Sequence, residues 1–244
     1  MELRGVCAVK PERYQDIYQR ACDRKGGKDA LESLLESPAR YAELVQLGDD
    51  RYLAELTRKV FQSGFVWRVV DQKWPDFEEI FWSFDIDKLL MMPDEMLERK
   101  ASDPKIIRHL KKVWSIRENA LMISEVRSQH GSFGQFVADW PEEEITGLWQ
   151  YLKKHGSRLG GNTGPYALRA IGKDTFLLTR DIEGYFRAMK IIEGSATSQK
   201  SLKAIQCYFN QLRQDSGRSL SELSRLLAFG TGDNRVQALA DMAH

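Results

Sequence analysis

The chain has 244 residues, 42% of them apolar and 29% charged, enough to bury a sizeable core and too apolar for a disordered polymer. Its 36 lysines and arginines against 35 aspartates and glutamates leave a net charge of +1. That excludes a polybasic, histone-like grip on nucleic acid while allowing a local basic face.

Three cysteines, Cys7, Cys22 and Cys207, are too few and too scattered for a disulfide framework. No apolar run approaches the roughly 18 residues of a bilayer span. The start MELRGVCAVKPERYQD is charged too early for a signal peptide. A cytoplasmic protein with reduced thiols and no membrane partner is expected.

In chain order nearly everything reads as helix, and the predicted fold class is all-α. Pro38 after Ser37, Pro104 after Asp103, and Pro141 are placed to open helices. From Pro104 to about Gln129, Ile107, Leu110, Trp114 and Leu121 predict one face of a long buried helix. In PEEEITGLWQYLKKHG, Ile145, Leu148, Trp149 and Leu152 form an apolar stripe. Acidic residues open that segment, Lys153 and Lys154 close it, and Gly156 stops it. Only Phe176–Thr179 looks extended. Near the C-terminus, Ser219 and Glu222 read as a capping box.

The stretch 152–186 departs from a plain helix connection. A basic amphipathic helix ends at His155-Gly156, a tight turn carries Gly156, Gly160 and Gly161, and a second helix begins near Asn162-Thr163. Glycines let such a turn approach a partner closely, and the amides opening the second helix form an anion-binding end. Lys153, Lys154 and Arg158 add positive charge. This is the physics of a phosphate clamp, with room for a monovalent cation held by the turn carbonyls; an ordinary helical hairpin fits the spacing equally well.

These residues resemble the helix-hairpin-helix DNA glycosylase superfamily: the hairpin, the helix from Asn162 to Arg169, the Lys173-to-Leu177 connection and Asp181. Two upstream blocks are similar to the narrower 3-methyladenine DNA glycosylase I family, Gln62-Ser63-Gly64-Phe65-Val66-Trp67 and Ile106-Ile107-Arg108-His109. The resemblance covers roughly residues 50–190. It implies a two-lobed helical fold with a cleft, residues 1–30 packing near the pocket, and 141–190 as hairpin and Asp loop. It further implies excision of an alkylated purine such as 3-methyladenine from double-stranded DNA by a monomer in base-excision repair. Trp67 would stack on the extruded base, Phe65 would wedge into the gap, and Gln62, Tyr14 and either Ile17 or Tyr18 would line the pocket. Asp181 would stabilise the sugar cation or activate water. It also suits the N-cap of the following helix.

Two positions depart from the family. A glutamate three residues before the glutamine reads the methylated base there; this chain has Lys59. An ammonium about 4 Å from a cationic base costs about 4 kcal/mol at a dielectric of about 20. Lys59 therefore points elsewhere, is neutralised by a partner such as Asp181, or marks another lesion, with Lys59 itself as a Schiff-base nucleophile. The family also ties its termini with two Cys and two His around zinc. Cys7 stands near the first ligand, but Ile182-Glu183-Gly184-Tyr185-Phe186 offers none, and His109, His130, His155 and His244 are scattered, so no structural zinc is expected. The loss of these features also fits a DNA-binding module that kept the fold and lost the chemistry.

Overall fold

A computed structural model describes residues 12–231, all helices, turns and loops without a strand among them. Cys7 and His244 lie outside the described residues. So does the opening of the segment expected near the pocket. No described helix is long and apolar enough to cross a membrane. Cys22 is buried and free.

The chain forms two compact units. One comprises residues 1–38, 142–146 and 174–244, so the expected 141–190 segment is divided between the two: the hairpin falls in one unit and Asp181 in the other. In this first unit α1 (Tyr14–Lys25) packs on α15 (Leu220–Gly230), which also meets α13 (Arg180–Ala188) and α14 (Gln199–Ser216). The core is built from Ile17, Ala21, Leu31, Phe186, Leu212 and Leu223, with Phe176 stacked on Phe209 at 4.3 Å between centroids. Ser219 and Glu222 form the expected capping box. The amides of Leu220 and Ser221, also at this helix start, donate to the buried Asp174 carboxylate at 3.0 and 2.8 Å.

The second unit comprises residues 39–141 and 147–173. Its central element is α4 (Asp49–Gln62), whose acidic start and basic finish suit the helix dipole. Tyr52, Leu53, Leu56, Val60 and Phe61 bury one side of it against α9 (Leu110–His130), α10 (Phe133–Asp139) and α12 (Thr163–Ile171). Phe61 meets Phe77 edge-on at 4.7 Å, and Trp74 stacks on Phe77 and Phe84. α11 (Ile145–His155) carries the predicted stripe: Ile145, Leu148, Trp149 and Leu152 are all buried.

Three predicted starts shift. α3 (Tyr41–Gln46) begins three residues after Pro38, and α9 begins at Leu110, six after Pro104. The block 106–109 is instead a lead-in, in which the His109 ring accepts from the Lys112 amide and caps the helix. The predicted buried face of α9 is also rotated. Leu110 and Leu121 are about half exposed, whereas Lys112, Val113, Ile116, Asn119, Ala120 and Ile123 face inward. Between Pro141 and α11, Glu142–Glu144 form a single 3-10 turn.

Candidate active site

The second unit's site begins where α4 ends. Glu55, Lys59 and Gln62 are spaced i, i+4 and i+7, so they share one face of the helix. The Lys59 ammonium lies 3.2 Å from a Glu55 carboxylate oxygen and donates to the Gln62 side-chain oxygen at 2.9 Å. The Gln62 amide nitrogen in turn donates to Asp71 at 3.0 Å, on α5 (Trp67–Gln72). Arg58 approaches Glu55 and Asp71 at 3.8 and 4.0 Å. Two cations and two carboxylates thus balance within one cluster. Lys59 is neutralised by Glu55, one helical turn back; the expected partner Asp181 belongs to the other unit.

Gly64, at φ +95°, turns the chain outward from this cluster. That left-handed conformation is open to glycine and strained for side chains. Phe65, Val66, Trp67 and Val69 follow as exposed apolar residues, with Trp67 50% exposed. Phe61, Phe77 and Phe133 of this unit are sealed, whereas Tyr41 and Trp82 are exposed as Trp67 is. The Trp67 ring lies 5.2 Å from the Lys59 ammonium and meets Tyr166 of α12 edge-on at 5.9 Å. Burial pushes the Tyr166 hydroxyl above its ordinary pKa, so it stays a neutral donor and acceptor at pH 7. Phe65 meets the His109 ring edge-on at 6.1 Å and lies over the Lys112 ammonium at 4.5 Å.

The hairpin joins α11 to α12 as the sequence predicted, with α12 opening at Thr163. At Gly156 a Cβ would come within 2.5 Å of Leu159 Cδ1 and 2.7 Å of the Leu152 carbonyl oxygen, so the turn closes only on glycine. Gly161 takes φ +61°, and Arg158 shares that strained region at the same angle. The buried Asn119 side chain clasps the turn from α9, accepting from the Ser157 amide at 2.7 Å and donating to its carbonyl at 3.2 Å. Thr163 and Gly164 amides donate to the carbonyls of Gly160 and Leu159. The turn thereby uses several amides internally, which narrows the predicted grip. Lys153, Lys154 and Arg158 are exposed beside it, and the Arg158 Nε donates to the Lys111 carbonyl at 3.2 Å.

The remaining predicted residues lie in the first unit. Asp181 is the second residue of α13 and half-buried. The helix is capped by the Thr179 hydroxyl, accepting from the Ile182 amide, and not by Asp181. Tyr14 and Tyr18 belong to a polar network: Tyr18 donates to Glu32 at 2.6 Å, while Arg218 donates to Tyr14 at 3.0 Å and to both Glu32 and Glu222. Ile17, beside them, is core. Sequence reasoning passed over Asp174, which lines a cavity of about 450 Å³ with Glu143, Asn210, Arg213 and Arg218. Its signal was a buried polar pair, Lys173-Asp174, in an otherwise apolar connection. Among the described residues no three His, Cys, Asp or Glu side chains come together as metal ligands.

An all-helical chain with two helices joined by this glycine turn has the fold expected of the helix-hairpin-helix DNA glycosylases. The match to the methyladenine glycosylase family model runs over residues 44–170, more than half of the chain, and the protein belongs to that family. The matched span holds the Lys59–Trp67 elbow and the hairpin and ends before Asp174 and Asp181. Among solved structures, the chain is similar to 8-oxoguanine DNA glycosylase of Methanocaldococcus jannaschii, at 16% identity over 88% of this chain and 94% of that one, with a TM-score of 0.50. A complex of a Methanocaldococcus jannaschii 8-oxoguanine glycosylase/lyase with DNA matches at 18% over 87% and 95%, TM-score 0.49. A mutant of 3-methyladenine DNA glycosylase I from Staphylococcus aureus matches at 22% over 63% and 91%, TM-score 0.48. No curated protein sequence matches the chain.

Proposed function

We propose that this protein excises an alkylated purine such as 3-methyladenine from double-stranded DNA, acting as a monomer in the cytoplasm. The observation that carries the reading is the outward Phe65-to-Trp67 edge, with Trp67 half exposed and in contact with Lys59 and Tyr166. Lys153, Lys154, Arg158 and the turn at Gly156, Gly160, Gly161 and Thr163 hold the phosphates. Extruding a base costs a few kcal/mol. Phe65 fills the vacated gap, and stacking on Trp67 returns about 1–3 kcal/mol. The C1′–N bond then breaks with its electron pair going to the base, which leaves neutral because it was cationic in the nucleoside. Water adds to C1′ and gives its proton to a carboxylate, the role that the superfamily resemblance implies for Asp181. A cationic leaving group needs no acid, so the pocket contributes recognition.

Lys59's place beside the Trp67 ring favours a second reading, glycosylase with strand cleavage. The Lys59 amine would attack C1′ as the base leaves with the bonding electron pair; the C1′–O4′ bond would then open, O4′ taking the proton from the amine nitrogen to leave an imine, and loss of a C2′ proton would expel the 3′ phosphate. One experiment separates the readings: incubation with methylated duplex, with and without borohydride. Base release without trapped protein supports hydrolysis. Covalent trapping that disappears in Lys59→Ala supports the lyase. Salt-sensitive duplex binding with no base release refutes both and leaves a binding module.

A further inference from the structure

We infer that Lys112 is a positioning residue: it fixes the Phe65 ring at the angle from which it enters the duplex. The inference rests on the wedge reading of Phe65 proposed above.

Lys112 is 6% exposed, on the first turn of α9. Its ammonium donates to the carbonyls of Val60, Phe61 and Ser63 at 2.8, 3.3 and 2.5 Å. These are the terminal carbonyls of α4 and its exit, which have no partner within the helix. One side chain thus ties off α4 at the bend that launches Phe65. The same ammonium lies 4.5 Å from the Phe65 ring centroid, where a cation is attracted to the aromatic face. His109 supports the ring's other contact, edge-on at 6.1 Å, and is itself held by accepting from the Lys112 amide. Burial, and then the neighbouring Arg158 charge, lower the Lys112 pKa from its ordinary value. An ammonium kept in such a place has been recruited for its contacts.

The same helix also holds the hairpin. The Lys111 carbonyl accepts from Arg158, and Asn119, two turns on, clasps both backbone groups of Ser157. A single rod of 21 residues therefore sets both the wedge and the turn that would meet the phosphates. An aromatic wedge on a glycine bend would otherwise swing, and its entropy would be lost on each insertion.

The test uses a duplex with a tetrahydrofuran abasic site opposite 2-aminopurine, whose fluorescence changes when a side chain fills the gap. Amplitude is read at saturating protein, so a loss of affinity alone does not alter it. Phe65→Ala is expected to abolish the change, and Lys112→Met to cut its amplitude about twofold or more, with Lys112→Arg restoring most of it. His109→Ser keeps a capping oxygen while removing the ring, and is expected to give a smaller loss. It serves if Lys112→Met fails to fold. Full amplitude in Lys112→Met and His109→Ser, with Phe65→Ala silent, overturns the positioning role alone. Full amplitude in Phe65→Ala overturns the wedge reading and this inference with it.

Discussion

Replacing Glu55 with glutamine removes one carboxylate while retaining shape and an acceptor, and so exposes what Lys59 would do unpaired. The ammonium lies 3.2 Å from the Glu55 oxygen and 5.2 Å from the Trp67 ring centroid. A cationic purine stacked on that ring sits about 6 Å from the ammonium, which at a dielectric of about 20 is a repulsion of about 3 kcal/mol, or about a hundredfold in rate. In the wild type the paired Glu55 carboxylate offsets part of this. Excision of 3-methyladenine by Glu55→Gln should therefore fall about 10–100-fold in kcat/KM, with the loss shrinking as salt rises. Binding to an abasic-site duplex should stay within about threefold, since no base occupies the pocket there. Adding Lys59→Gln to Glu55→Gln should recover most of the rate. Unchanged excision in the single variant, or no recovery in the double variant, refutes the charge-balance argument.

Asp181→Asn should slow base release more than about tenfold; wild-type turnover removes Asp181 from the chemistry. Gly156→Ala should destabilise the protein by about 1–3 kcal/mol, read as a drop in denaturant midpoint, because its Cβ would clash with Leu159 and a carbonyl well inside contact distance. Glu32 is held below its ordinary pKa of 4.5, first by its hydrogen bond from Arg218. A lowered folded pKa gives stability that is present above 4.5 and lost as pH falls through the folded value. Glu32→Gln should therefore flatten the acid limb of stability against pH; an unaltered limb counts against that pair.

What the sequence revealed follows the range of the interactions involved. The stripe of α11, the glycine turn and the Ser219 capping box depend on neighbours within a helical turn or two, and all three stand in the structure. The face of α9 was misread because its inward side carries the polar residues Lys112, Ser115 and Asn119, and the partners of Lys112 and Asn119 lie far along the chain. Lys112 answers to α4 carbonyls about fifty residues away, and Asn119 to Ser157. Hydropathy marks such positions as solvent-facing. Asp174 was passed over for the same reason, since the helix start that it caps lies 46 and 47 residues on. Lys59 differs again: Glu55 was visible one turn back, and its pairing follows from helical spacing alone.

The clasp of Asn119 on Ser157 runs wholly through the main chain at the turn. The conformation there is dictated by an amide group on another helix, leaving the identity of residue 157 chemically free. Ser157→Cys then offers an attachment point for a fluorophore one residue from the glycine bend. Such a reporter would register an approaching strand directly, before any bond is cut.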